Sequence, residues 1–178
     1  KNLKTSPLPG ITTVYELVQH GVRTHGPKDA LGKRPLLERH YEDLHGKQVE
    51  KLTYANHYEW MSYSQFGKAI SSIGAGLVGL AGLKPQDRVI IYAETQREWM
   101  LAAQGAFSQS LQVVTVYATL GEEGLIHGTT QTKSKVIVAD AKLLKIVANA
   151  IKTNKSGMKS CTSVVYIADP VQKPDPVA

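Results

Sequence analysis

Residues 92–121 read YAETQREWMLAAQGAFSQSLQVVTVYATLG. Tyr92 closes an apolar, β-branched run that begins at Arg88, so residues 88–92 read as a strand. Thr95 with Glu98 three positions on has the spacing of a capping box, opening a helix through Phe107. Residues 112–117 form the next strand, and Thr119 with Glu122 repeats the capping-box spacing before another helix. A strand, a helix and a second strand this close together make a parallel βαβ unit.

The same rhythm extends in both directions. Upstream, Ser62 and Gln65 form a capping box, and Phe66, Ala69, Ile70, Ile73, Leu77 and Val78 fall on one helical face. Gly82 supplies the left-handed position that ends this helix, and Pro85 prevents its resumption. Downstream, residues 135–139 form a strand, Asp140 caps a helix over 141–151, and residues 163–168 form the last strand. The runs VIIYA, VVTVY, VIVAD and VVYIA are continuously apolar, as in strands covered on both faces. The expected fold class is therefore α/β, a mainly parallel sheet with helices on both faces.

The first sixty or so residues differ. Thr12 or Thr13 caps a helix carrying Val14, Leu17 and Val18, which Gly26-Pro27 ends. Residues 51–54 and 58–60 read as hairpin strands around an Ala55-Asn56-His57 turn. The chain accordingly divides into a helix and hairpin region over residues 1–61, a βαβ-type region over 62–168 and a Pro-rich tail over 169–178.

Bulk properties narrow the classes. The 178 residues suffice for one core, with 42% hydrophobic content and a mean hydropathy of -0.20. No apolar run reaches the ~18–20 residues needed to cross a bilayer. Gly74, Gly76, Gly79 and Gly82 interrupt the apolar stretch 70–83, which reads as a buried helix lying close to the sheet. The first residue is Lys1 and no signal-like region follows, so translation is expected to start upstream. The lone Cys161 excludes an internal disulfide framework and a cysteine metal cluster. Net charge is +6, and lysines 133, 135, 142, 145, 152, 155 and 159 face only Asp140 between residues 133 and 159. That run is either a solvated helix face or a surface for anionic lipid; without arginine or interleaved aromatics it does not suit nucleic acid.

No catalytic constellation is legible. Neither a Walker-type phosphate loop nor a dinucleotide fingerprint follows a strand. The segment HGTTQTK, residues 127–133, has one glycine and ends a helix, so it reads as a decoy for a phosphate loop. His40 and His45, near Glu38, Glu42 and Asp43, share neither a helix face nor a strand face. Trp99 and Phe107 read as core, and Glu98 as a cap and not an acid catalyst. No catalytic, cofactor-binding or metal residue is assigned.

The motifs in order do carry a resemblance. They are Asp29-Ala30-Leu31-Gly32-Lys33-Arg34, then Tyr58-Glu59-Trp60-Met61-Ser62-Tyr63, Gly76-Leu77 and Gly82-Leu83-Lys84-Pro85. Glu94-Thr95, Glu98-Trp99, Val114-Thr115, Tyr117-Ala118-Thr119-Leu120-Gly121 and His127 complete the set. Over residues 12–167 the chain resembles the N-terminal portion of long-chain acyl-CoA synthetases, members of the adenylate-forming (AMP-binding) superfamily. It departs from their pattern at Gln96, where arginine is usual, and at Thr130-Gln131, where Asn-Glu is common.

The resemblance implies an incomplete piece of an adenylate-forming N-terminal domain. It implies a full-length ligase that uses ATP, Mg²⁺ and CoA to convert a long-chain fatty acid to acyl-CoA through an acyl-adenylate. The parts that bind these partners lie downstream, so the segment alone is expected to bind none of them and to be inactive. An intracellular place at an organelle membrane, the endoplasmic reticulum or another, is implied as well, with an anionic membrane surface as partner. Two other readings stand beside it: a truncated, non-catalytic relative serving as a scaffold, and an unrelated flavodoxin-like binding module.

Overall fold

A computed structural model describes residues 6–171. Helix α1 (Val14–His25) begins at Thr13, whose hydroxyl accepts the Glu16 N–H at 3.1 Å while the Glu16 carboxylate accepts the Thr13 N–H at 2.9 Å. Thr13 is thus the cap, and Thr12 adds its own N–H to the same carboxylate at 2.7 Å.

Two antiparallel ribbons follow. β1 (Asp29–Lys33) pairs with β4 (Glu59–Ser62), and β2 (Leu36–Leu44) pairs with β3 (Lys47–Tyr54). The expected turn at residues 55–57 is not a hairpin turn. The hairpin closes at His45-Gly46, where φ of 56° and 79° gives the doubly left-handed geometry that suits the right-handed twist of a two-residue hairpin. Residues 55–57 instead join the two ribbons, held by the Ala55 N–H donating to the Pro35 carbonyl at 2.9 Å.

Helix α2 (Tyr63–Gly79) starts with the Ser62–Gln65 capping box. Phe66, Ile70 and Leu77 are buried on it, whereas Val78 lies outside that stripe and is 38% exposed. The Gly82 N–H donates to the Val78 carbonyl and the Leu83 N–H reaches back to Leu77, with Gly82 at φ +65°, which completes a left-handed helix end.

The main sheet holds β5 (Arg88–Tyr92), β6 (Gln112–Thr115), β7 (Val136–Asp140) and β8 (Ser163–Ile167), all parallel, in the order β6-β5-β7-β8. Helices α3 (Arg97–Ser108), α4 (Gly121–Thr132) and α5 (Leu144–Thr153) make the crossovers. Because side chains alternate along a strand, Val89, Ile91, Val136 and Val138 pack under α2 and α3 with Leu77, Ala102 and Ala106. Ile90, Tyr92, Ile137 and Ala139 pack under α4 and α5 with Leu125, Val147 and Ala150. Burying each large side chain contributes about 1.5–3 kcal/mol. A third cluster of Phe66, Ile70 and Leu101 receives Tyr15 and Val18 of α1 and Met61 of β4.

Three expected caps do not form. Gln96, not Thr95, precedes α3 and makes no side-chain cap bond. A 3-10 turn over Ala118–Leu120 displaces Thr119 from the start of α4. A second such turn over Ala141–Leu143 separates Asp140 from α5, and the Asp140 carboxylate turns toward β5 instead. Phe107, expected in the core, is 37% exposed near the end of α3, while Trp99 is half-buried against the core. β6 ends at Thr115, leaving Tyr117 77% exposed.

The glycines of α2 also act differently from expectation. A Cβ at Gly74 would stand 2.3 Å from Ser108 Oγ, and one at Gly105 would stand 2.5 Å from Ile73 Cγ2. The close approach is therefore between α2 and α3, not between α2 and the sheet. Gly76 and Gly79 meet nothing within 4 Å. No helix among the described residues is long and apolar enough to cross a membrane. Of the expected Pro-rich tail, residues 172–178 lie outside the described residues.

Candidate functional site

The strand order reverses direction between β5 and β7: the chain leaves β5 for β6 on one side, then returns to β7 and β8 on the other. At such a switch point the loops after neighbouring strands diverge and leave a crevice at their carboxyl ends, where open α/β sheets bind ligands. A cavity of about 390 Å³ opens there. Glu94, Gln96, Asp140 and Lys142 line it from the sheet side. Arg39, Leu52 and Tyr54 of the β2–β3 ribbon line it as well, with Lys33 at the end of β1 and Arg34 just after it.

Asp140 anchors the sheet side. It is only 6% exposed at the end of β7, and its carboxylate accepts the Glu94 N–H at 2.8 Å and the Gln96 side-chain amide at 2.5 Å. Burial pushes its pKa up, the Glu94 charge adds to that, and the two hydrogen bonds only partly oppose it. The neutral Gln96 amide orients the carboxylate without compensating its charge.

Above it, Lys142 Nζ stands 2.9 Å from Glu94 Oε1 and 3.6 Å from Glu50 Oε2 of the ribbon. Burial lowers the Lys142 pKa, but the Glu94 hydrogen bond and the surrounding carboxylates outweigh it and the net shift is upward. Arg39 pairs with Glu50 at 2.9 Å and with Asp169 beyond β8. Asp169 and Lys142 together clamp the ribbon over the strand ends. Glu98 pairs with Lys33 at 3.2 Å and with Arg97 at 3.1 Å. Burial pushes the Glu98 carboxyl up, yet its own backbone N–H and these cations bring it below the usual range. Arg34 lies 5.5 Å over the Tyr54 ring, and its Nε donates to the Ala55 carbonyl at 3.0 Å.

This chemistry is suited to holding a polar or anionic group. The lookalike over residues 127–133 is helical: Thr129 is fully buried and bonds the Leu125 carbonyl at 2.8 Å, and Lys133 is the left-handed residue after α4. His40 pairs with Glu42 at 3.3 Å, His45 sits in the hairpin turn, and no group of three potential metal ligands converges among the described residues. Sequence reasoning missed the Asp140–Glu94–Gln96 grouping. The available signal was a single acid closing the otherwise apolar run VIVAD.

Residues 42–178 match the AMP-binding enzyme family. The chain belongs to that family. Relatives of the chain include long chain acyl-CoA synthetase 8 of Arabidopsis thaliana, 32% identical over 92% of this chain and 22% of its own length. Another is long-chain-fatty-acid–CoA ligase 1 of Saccharomyces cerevisiae, 40% identical over 81% of this chain and 22% of that protein. Among solved structures, the A-PCP didomain of a carboxylic acid reductase from Segniliparus rugosus, in complex with AMP, covers 95% of this chain and 22% of its own. It superposes with a TM-score of 0.73 at 19% identity, which shows the shared fold. The α/β architecture is thus that of the N-terminal portion of the adenylate-forming domain. The chain spans about a fifth of the length of the curated relatives it matches.

Proposed function

We propose that this chain is part of a ligase that activates long-chain fatty acids to acyl-CoA. The observation that carries the reading is the 40% identity, over 157 residues, to a long-chain-fatty-acid–CoA ligase. In the proposed reaction the fatty-acid carboxylate attacks the α-phosphate of ATP, releasing pyrophosphate and forming an acyl-adenylate. The CoA thiol then attacks the acyl carbon, releasing AMP. Residues of this segment supply the sheet, the crevice at its carboxyl edge and the ribbon clamped above it. None is assigned to the chemistry.

The test is an assay of the complete protein with ATP, Mg²⁺, CoA and palmitate, following AMP and palmitoyl-CoA. Both products are expected, and neither from the isolated 178-residue segment. A complete protein that forms no acyl-adenylate with any fatty acid would replace this reading with that of a non-catalytic scaffold.

The proposed place is the surface of an organelle membrane. Supporting it, Lys145, Lys152, Lys155 and Lys159 are exposed on α5 and the turn after it, and none makes an ion pair among the described residues. Lys135 and Lys142 are instead drawn into pairs with Asp87, Glu94 and Glu50. Co-sedimentation with phosphatidylserine vesicles that weakens as salt rises supports an electrostatic surface; salt-independent binding excludes it.

A further inference from the structure

The β2–β3 ribbon forms one wall of the crevice, yet it shares in no apolar core. None of residues 36–54 is buried, and none enters the three apolar clusters found among the described residues. Leu37 is 62% exposed and Tyr41 58%. What reaches from the ribbon to the strand ends is ionic: Arg39 pairs with Asp169, and Glu50 Oε2 stands 3.6 Å from Lys142 Nζ. Both sheet-side partners, Asp169 and Lys142, line the crevice.

The root of the ribbon is built differently. Ala55 is 5% exposed, its N–H donates to the Pro35 carbonyl at 2.9 Å, and its carbonyl accepts from Arg34 Nε at 3.0 Å. Immediately beyond this fixed neck the register slips between Leu36 and Glu38. Such a bulge interrupts the ladder and bends the strand, so the compliant point lies at the root and the paired strands beyond it move together. Apolar burial is what normally fixes one element against another, and the ribbon contributes little of it. Charged contacts are more easily exchanged for water.

We propose that the β2–β3 ribbon is a hinged lid over the crevice, pivoting at the Leu36–Glu38 bulge and latched shut by the Arg39–Asp169 and Lys142–Glu50 pairs. Glu50 also takes Arg39 Nε at 2.9 Å, so the ribbon carries its half of both latches as one bonded unit. The sheet supplies the other half from beyond β8 and from the turn after β7. Opening separates the two halves and leaves the β2–β3 ladder intact. The lid does not depend on the ligase reading, since its test reads access to the crevice and not turnover.

The test uses the complete protein carrying Ala141→Cys, on the crevice wall, with the exposed position Ser156→Cys as reference. N-ethylmaleimide is compared with a maleimide bearing a poly(ethylene glycol) chain, peptide by peptide; the ratio of the two rates cancels the thiol's own reactivity. In the latched protein the bulky reagent is expected to lag at residue 141 and not at residue 156. Asp169→Asn with Lys142→Gln cuts both latches from the sheet side, and asparagine keeps the oxygen that accepts the Val171 N–H. The bulky-to-small ratio at residue 141 should then rise about tenfold or more, the factor for losing a charge-assisted contact. Residue 156 and hydrogen exchange of the β5 and β7 amides should stay unchanged. Glu50→Gln gives an independent cut from the ribbon side and should shift the ratio the same way. No shift in either variant overturns the lid, as does a latched protein whose ratio at residue 141 already matches that at residue 156. A parallel rise at residue 156 or in the main sheet overturns it too, because the whole region has then loosened.

Discussion

The Asp140 carboxylate, at the end of β7, accepts the backbone N–H of Glu94, just past the end of β5, at 2.8 Å. This contact spans the point where the sheet changes direction and ties together the two strand ends that bound the crevice. The same carboxylate is buried and carries a raised pKa, so one group supports the local structure and opposes it electrostatically at neutral pH.

A pH dependence follows from that opposition. A carboxyl whose folded pKa lies above its unfolded value stabilises the fold when protonated, and that contribution is lost as pH rises through the folded pKa. Gln96→Arg would place a cation where a neutral amide now touches Asp140. It is expected to lower the Asp140 pKa and to raise stability at pH 7 relative to pH 4, compared with wild type. Urea unfolding of both proteins across that range checks it, and parallel profiles would exclude it.

Asp87 should behave with the opposite sign. Its pKa is lowered from the ordinary 3.8, first by the Lys135 side chain and then by the Lys84 N–H. Its contribution is present above the unfolded pKa and disappears as pH falls through the folded value. Asp87→Asn is therefore expected to destabilise at pH 7 and to converge on wild type in acid, measured by the same unfolding series.

Gly74 and Gly76 sit two positions apart on α2 and should respond differently to a side chain. Gly74→Val drives atoms into Ser108 and the Gly105 carbonyl, at an expected cost of about 1–3 kcal/mol from overpacking. Gly76→Ala meets open space and replaces glycine in a helix interior, for an expected gain of about 0.5–1 kcal/mol. Thermal unfolding distinguishes them by sign.

Arg39→Met should loosen the ribbon and leave the sheet in place. It removes the guanidinium that joins Glu50 of β3 to Asp169 beyond β8. A local loss of about 1–3 kcal/mol is expected. Limited proteolysis should then cut within β2 and β3 at protease levels that spare wild type, with little change in main-sheet exchange.

His45→Asn should tighten the same ribbon from its tip. His45 holds φ of 56°, a region that asparagine tolerates better than other residues with side chains. The expected gain is about 0.5 kcal/mol, and a ribbon more resistant to proteolysis is the observable.

These residues also mark what could be read in advance. The Ser62–Gln65 box was legible because both of its bonds close within three positions. Thr95 and Glu98 have the same spacing, but Lys33 and Arg97 engage the Glu98 carboxylate and no box forms. The four apolar runs identified the parallel strands, since burial on both faces leaves a continuous pattern. The hairpin turn was misplaced because Ala55-Asn56-His57 contains a turn-favouring asparagine, whereas the true turn uses a histidine before Gly46. The crevice was invisible, because Asp140 and Glu94 lie 46 positions apart and each is unremarkable alone.

The order β6-β5-β7-β8 has a consequence for synthesis. The middle strand leaves the ribosome first, and its partners emerge later on alternate flanks. Until residues 112–115 appear, β5 has nothing in the main sheet to pair with; until 136–140 appear, its other flank is bare. The sheet therefore grows outward from its centre, and at each stage the newest apolar strand waits for the next crossover. At roughly 5–20 residues per second that wait lasts seconds, a recurring window in which a nascent chain is most in need of a chaperone.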